Sequence, residues 1–345
     1  MIYIQILRGI AASIVVIYHS IGTAHHYVPD EESIILQIFN YGSCGVDLFF
    51  VIYGFIIYHS THASSVSPKS FLARRIKRIV PIYWLSTALM IGITVVSPAS
   101  FRNEGHFSAS HFIESLFFVT FSSGRMPIVY VGWSLEFEMF FYLIVALLLC
   151  RPENAWNRLI YAFSFLVVAH LAPLGDTFQV IGGFFTSPKI LEFVYGVMAA
   201  QMFHHGRLSN GAIASAAVAT LAIAATDRQS YVLWAGLPAA IGVFLAAKRS
   251  IGVDSPSRME KFGAQIGDAS YSIYLFQVFM ISGACKAIFR LHPSIDVLIV
   301  VTAVSSIFGG WLFFILLEKP LLMRLRHFGE RRAAPMKARE LRANS

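Results

Sequence analysis

The sequence is poor in charge: Asp, Glu, Lys and Arg make up 13% of its 345 residues, about half the share in an ordinary soluble domain. It also lacks a long polar insert, because apolar runs recur from residue 2 to residue 317, so a string of separate soluble domains is excluded. Cysteine is scarce. Cys44, Cys150 and Cys285 are odd in number, far apart and in or beside apolar runs, which suits small core residues and neither a disulfide framework nor a metal site. No repeat, heptad or low-complexity tract is evident. Helix-turn-helix, zinc-finger and aromatic RNA-binding patterns are missing too, so the net charge of +8 is not read as a nucleic-acid footprint.

What is present is apolar: 56% of residues are hydrophobic and the mean hydropathy is +0.64. These values describe an all-α, polytopic membrane protein. Spanning runs are expected at about 2–22, 41–60, 79–97, 133–150, 157–174, 190–205, 211–226, 230–247, 268–289 and 294–317, ten in all. The first has a basic residue but no small-residue cleavage site after it, and so reads as a retained anchor. Lys69, Arg74, Arg75, Lys77 and Arg78 follow the second run, and Arg324, Arg326, Arg331, Arg332, Lys337, Arg339 and Arg342 follow the last. Ten crossings place both clusters in the cytoplasm, as basic loops require. An eleventh crossing at "HFIESLFFVTFSS", from residue 111, would put one of them outside. That stretch is therefore expected to be a short outward-side interfacial or re-entrant helix within a lid over 98–132. Residues 321–345 read as a basic cytoplasmic tail attracted to anionic lipid, after a membrane domain over 1–320.

Within the first run, "QILRGIAASIVVIYHS", Arg8 and His19 are eleven residues apart. At ~100° and ~1.5 Å per residue both lie on one stripe, roughly 16 Å apart along the axis. Arg8 has the alternative of a snorkelling anchor and His19 of a hydrogen-bonded core residue. Ionisable groups inside a membrane nevertheless point first to function.

Six further motifs follow in order: "GVDLFFVIYGFII" (45–57), "ARRIKRIVPIYWL" (73–85), "WSLEFEMFFYLI" (133–144), "LEFVYGV" (191–197), "GDASYSIYLFQ" (267–277) and "LEKPL" (317–321). With the first run, the series resembles the acyltransferase-3 family of integral membrane O-acyltransferases, and the likeness covers about residues 2–321. The wording is most similar to the short members that acetylate exopolysaccharide repeat units. The resemblance implies a multi-pass protein of the bacterial inner membrane with both termini cytoplasmic. It implies acyl-CoA, acetyl-CoA in the case of such members, as donor substrate and no permanently bound cofactor, with a sugar hydroxyl of a lipid-linked or extracytoplasmic glycan as acceptor. Other acceptors, such as lipid A, peptidoglycan, a lipochitooligosaccharide or a small metabolite, remain open, as does a non-catalytic binder or transporter.

The family's essential arginine and histidine map onto Arg8 and His19. Histidine titrates near neutrality, so His19 suits either proton removal from the acceptor or a transient acyl-histidine. Asp47 is expected to orient His19, with an interfacial hydrogen-bonding role as its alternative. Arg74, Arg75 and Arg78 match the paired-arginine motif, and guanidinium forks suit the phosphates of coenzyme A; a purely topogenic role is the alternative. Glu138 matches the family glutamate five residues after Trp133, on the stripe of Tyr142, whereas Glu136 points the other way and is expected to be an exposed first-turn carboxylate. Tyr142, Ser270, Tyr271 and Tyr274 offer hydroxyls for substrate or for interhelical bonds. Glu318 is expected to cap the last helix. His59 and His62 lie one turn apart without complementary metal ligands. Two positions depart from the family: Tyr53 replaces a small serine, and Gln277 stands where many members carry histidine.

Overall fold

The computed structural model describes residues 1–29, 31–39, 42–62, 66–97, 108–172, 176–227 and 229–325. Among them every regular element is helical. Lipid offers the backbone no hydrogen bonds, and a helix satisfies its own. In chain order the helices are α1 (Ile2–Tyr27), α2 (Ile34–Phe39), α3 (Cys44–Thr61), α4 (Pro68–Val96), α5 (Ala109–Leu116), α6 (Trp133–Leu149), α7 (Ala155–Ala169), α8 (Asp176–Phe185), α9 (Ile190–His205), α10 (Asn210–Thr226), α11 (Leu237–Arg249), α12 (Arg258–Asp268), α13 (Ser270–Phe289) and α14 (Ile295–Phe313). A π-helical turn, Val232–Gly236, leads into α11, and another, Phe314–Glu318, extends α14.

Each of the ten expected runs carries a helix. Seven segments are long and apolar enough to cross a membrane. The other three, α7, α9 and α10, have 15, 16 and 17 residues. At ~1.5 Å per residue they cover about 22–26 Å, somewhat less than a ~30 Å hydrocarbon core. The chain is a polytopic, all-α membrane protein.

The stretch at 111–123 is broken rather than continuous: α5 is followed by two 3-10 turns, Thr120–Ser123 and Tyr130–Gly132. Its depth follows from its partners on α4. Tyr83 Oη shares a 2.9 Å hydrogen bond with Ser115 Oγ, and Trp84 Nε1 donates to the Leu116 carbonyl at 3.0 Å. Both aromatic residues lie near the midpoint of α4. The segment is thus re-entrant, and its irregular backbone is tolerated because Ile128, Val129 and Val131 are buried in protein. Residues 98–107 of the expected lid, and the tail from 326 onward, lie outside the described residues.

The α12 helix was not expected from the sequence, where 258–268 reads as a basic loop. Ser257 and Glu260 form a reciprocal capping box at its start. Gly263 and Gly267 then let it lie directly on α1, where a Cβ at Gly267 would collide with the Gln5 carbonyl. The chain turns at Ala269 and resumes as α13 at Ser270.

The α3 and α9 helices form the closest pair and run in the same direction, with Asp47 facing Lys189 at one end and His59 facing His204 at the other. They cross on glycine: a Cβ on Gly54 would strike the Phe193 carbonyl, and one on Gly196 the Val51 carbonyl. Small residues at such crossings let backbones approach in the absence of a hydrophobic driving force. Gly196→Ala is therefore expected to destabilise the fold by about 1–3 kcal/mol. Gly92→Ala, with no atom within 4 Å of the new Cβ, should be neutral. Thermal unfolding in detergent read by size-exclusion chromatography checks both; equal midpoints for the two variants would refute the close crossing.

Candidate active site

Arg8 is 3% exposed, and its guanidinium is held from two sides. Nη1 donates to Gln5 Oε1 and Nη2 to Ser270 Oγ, each at 2.9 Å, while Nε has no acceptor among the described residues. The first partner lies one turn back on α1, and the second is the first residue of α13, delivered by the turn at Ala269.

Two of the three expected α4 arginines face the same interior. Arg75 Nη2 donates to Ser60 Oγ at 3.3 Å, its guanidinium carbon lies 5.6 Å from the centre of the Tyr142 ring, and its Nε is unpaired among the described residues. Arg78 lies within Coulombic reach of Glu138, Tyr53, Tyr142 and Glu318. Arg74 does not join them: its Nη1 donates to Ser70 Oγ at 2.6 Å on the exposed face of the helix. The i, i+3 pair Arg75 and Arg78 turns inward, and the i, i+4 pairing of Arg74 with Arg78 is not made.

Two carboxylates answer these cations. Glu138, 3% exposed, accepts the Tyr142 hydroxyl one turn along α6 and lies within Coulombic reach of Arg78, Arg75 and Arg8. Glu318, 2% exposed, accepts Ser272 Oγ and lies near Arg78 and Arg8. Glu318 is therefore more than a helix cap. Its inward aim comes from the π-helical turn, which rotates the end of α14 and leaves no periodic signal in the sequence.

A small, narrow pocket lies beside this cluster, lined by Val46, Phe49, Phe50, Tyr53, Ser134, Leu135, Ser270, Tyr271 and Tyr274. Tyr53 thus occupies the pocket wall. Tyr271 donates to the Ile79 carbonyl at 2.7 Å, and Tyr274 donates to the Val131 carbonyl at 2.9 Å while sharing a 2.8 Å bond with Ser134 Oγ. Next to Val131, the Tyr130 ring meets the edge of His19 at 5.2 Å between centroids. Arg8 and His19 do not touch. Ser270, Tyr274, Val131 and Tyr130 connect them.

Two expectations are corrected here. Asp47 does not orient His19, because its Oδ1 takes Lys189 Nζ at 3.0 Å. Glu136 is not an exposed carboxylate: it is 5% exposed and its Oε1 accepts both the Thr120 amide and hydroxyl at 2.7 Å, pinning the re-entrant segment to α6. Periodicity separates the faces of a helix but does not say that an irregular segment will cover the second one. His59 and His62 are joined by His204 and His205, with His59 Nδ1 and His204 Nε2 2.8 Å apart and Tyr58 Oη 2.8 Å from His205 Nε2. Among the described residues no group of three or more His, Cys, Asp or Glu side chains is arranged to hold a metal ion. Gln277 is fully enclosed, with Nε2 donating to the Tyr274 carbonyl at 2.9 Å and Oε1 unpaired.

A family model described as an acyltransferase domain matches residues 1–317. The exopolysaccharide production protein ExoZ of Rhizobium meliloti (strain 1021) is 32% identical over 302 residues, which cover 84% of this chain and 92% of that protein. No solved structure matches. With nearly the whole membrane domain inside the family match and a relative aligned along most of its length, the chain belongs to the acyltransferase-3 family and is a membrane O-acyltransferase.

Proposed function

We propose that the enzyme moves an acyl group, acetyl in the favoured case, from cytoplasmic acyl-CoA to a sugar hydroxyl of an exopolysaccharide or related cell-surface glycan precursor, within the bacterial inner membrane. The carrying observation is an excess of cation whose donors are unpaired among the described residues, beside a pocket lined by hydroxyls and aromatic rings and connected to His19 through Ser270, Tyr274, Val131 and Tyr130. Arg8, Arg75 and Arg78 face Glu138 and Glu318, and the Nε groups of Arg8 and Arg75 have no acceptor among the described residues. Buried donors without partners cost free energy that an acceptor-rich anion recovers, and guanidinium forks suit phosphate oxygens. Coenzyme A carries such phosphates on a long flexible arm that ends in the thioester. The glycan acceptor is supported by the name of the relative, a protein of exopolysaccharide production.

In this reading the phosphates meet Arg75 and Arg78, and the arm follows the hydroxyls of Ser270, Tyr271 and Tyr274 toward Tyr130. His19 takes the proton of the acceptor hydroxyl as that oxygen attacks the thioester carbon. The tetrahedral intermediate then expels the thiolate of coenzyme A, which recovers the proton from the imidazolium. Glu138, bonded to Tyr142, balances the arginines and keeps them oriented. Residues 1–320 form the catalytic membrane domain and 321–345 a cytoplasmic basic tail.

Purified protein in nanodiscs, given radiolabelled acetyl-CoA and a panel of polyprenyl-linked and free oligosaccharides, is expected to label sugar. His19→Ala should reduce transfer by about 10²–10⁴-fold, the usual scale of a lost general base. Arg75→Ala should raise the donor KM while Arg74→Ala, outside the cluster, leaves it near wild type. Full transfer by the His19 variant would overturn the assignment. Tyr142→Phe leaves buried Glu138 without its donor and is expected to cost about 1–3 kcal/mol of stability, read as a lowered melting temperature; an unchanged midpoint would exclude this support. Single cysteines at 69 and 324 in a cysteine-free background should both react only with reagent on the cytoplasmic side, and opposite sidedness would reject the ten-crossing topology.

A further inference from the structure

A second set of charged side chains is enclosed between α3 and α9, away from the arginine cluster. Asp47 and Glu192 are 1% and 0% exposed and come from the first turns of the two helices. Lys189, immediately before α9, donates to Asp47 Oδ1 at 3.0 Å and also lies within Coulombic reach of Glu192. Its ammonium is further stacked 5.5 Å from the Trp133 ring centre and 6.0 Å from that of Tyr231. Glu192 lies three residues beyond Lys189, one helical turn along the same face at the start of α9. Yet Asp47 Oδ2 and both Glu192 oxygens lack a donor among the described residues.

Ionised carboxylates are acceptors only, so neither can supply the donor that the other lacks. One ammonium against two of them also leaves a net negative charge enclosed in the bundle, with a heavy desolvation penalty. A single proton removes both problems: it turns one acid into a donor and makes the cluster neutral. A metal cation fits less well, since the Lys189 ammonium already occupies the cation position at Asp47. We propose that Glu192 holds a proton beside the Lys189–Asp47 ion pair, so that the Lys189–Asp47–Glu192 cluster is an electrically neutral proton-binding site within the membrane.

The site lies beside the pocket wall, because α3 also carries Val46, Phe49, Phe50 and Tyr53. Loss of the proton at alkaline pH leaves two adjacent negative charges that push α3 and α9 apart at this end. Among the described residues, the other ionisable groups facing the cluster are Cys44 on α3, Tyr195 on α9 and Tyr231 before the π-helical turn.

Infrared spectroscopy of the full-length protein in nanodiscs at neutral pH, combined with thermal unfolding from mildly acidic to alkaline pH in sodium or choline chloride, tests this. Wild type is expected to show the carbonyl stretch of a protonated carboxylic acid and a melting temperature that falls toward alkaline pH. Glu192→Gln replaces the bound proton with a permanent amide donor, and should lose both the band and the alkaline fall. If that variant does not fold, Asp47→Asn carries the same infrared comparison. Absence of the band in wild type, its persistence in both variants, or a sodium-specific stabilisation abolished by Glu192→Gln would overturn the proposal, the last by placing a metal ion where the proton is assigned.

Discussion

A guanidinium inside a lipid core must be surrounded by partners, and the arrangement that holds Arg8 organises this molecule. Its second acceptor, Ser270, is available only because the chain turns at Ala269, and the turn depends on α12 lying directly against α1. That approach uses two glycines one turn apart, Gly263 and Gly267, with Gly9 opposite them. Backbone proximity at α12 thereby places a hydroxyl at Arg8. The same turn starts α13 with Ser270, Tyr271, Ser272 and Tyr274 buried in sequence, so one helix start supplies hydroxyls to the arginine cluster, to α4, to Glu318 and to the re-entrant segment.

The re-entrant segment solves a related problem. Non-helical backbone at membrane depth is stable only where protein covers it. Glu136 bonds the start of one 3-10 turn, Ser115 ties the segment to Tyr83 and to the Ile128 amide, and Tyr274 takes the Val131 carbonyl. These contacts set Tyr130 against His19. The histidine is thus positioned by packing from a loop that is itself held by buried polar bonds, which explains why so much polarity is kept between residues 115 and 136.

How much was legible in the sequence follows from what hydropathy and periodicity can report. The spanning runs were readable because lipid imposes a one-dimensional rule of length and apolarity, and charge parity was enough to deny residues 111–123 a crossing. Stripe geometry paired Glu138 with Tyr142 because they share one helix. Partnerships between helices were not readable: Lys189 lies 142 residues from Asp47, and His204 lies 145 residues from His59. The α12 helix escaped notice because its signal is two glycines and a capping box in a basic stretch, with no apolar run. Arg74 and Arg75 are adjacent in sequence, and only the packing of α4 on α6 decides which one turns inward.

The separation of Arg8 from His19 bears on how two dissimilar substrates meet in one membrane enzyme. Eleven residues of α1 set them roughly 16 Å apart, about half of a ~30 Å hydrocarbon core. A phosphate-rich donor held at the arginine end need not enter the apolar interior, where its charge is most costly. A sugar held near Tyr130 need not either. On the proposed function, only the slender acyl-bearing arm lies beside Tyr53 and Tyr274, in a narrow pocket lined by aromatic rings and hydroxyls. On the same reading, the bulk of Tyr53, where the family resemblance leads to serine, narrows the space beside that arm, and selectivity for a short acyl group is the consequence expected of it.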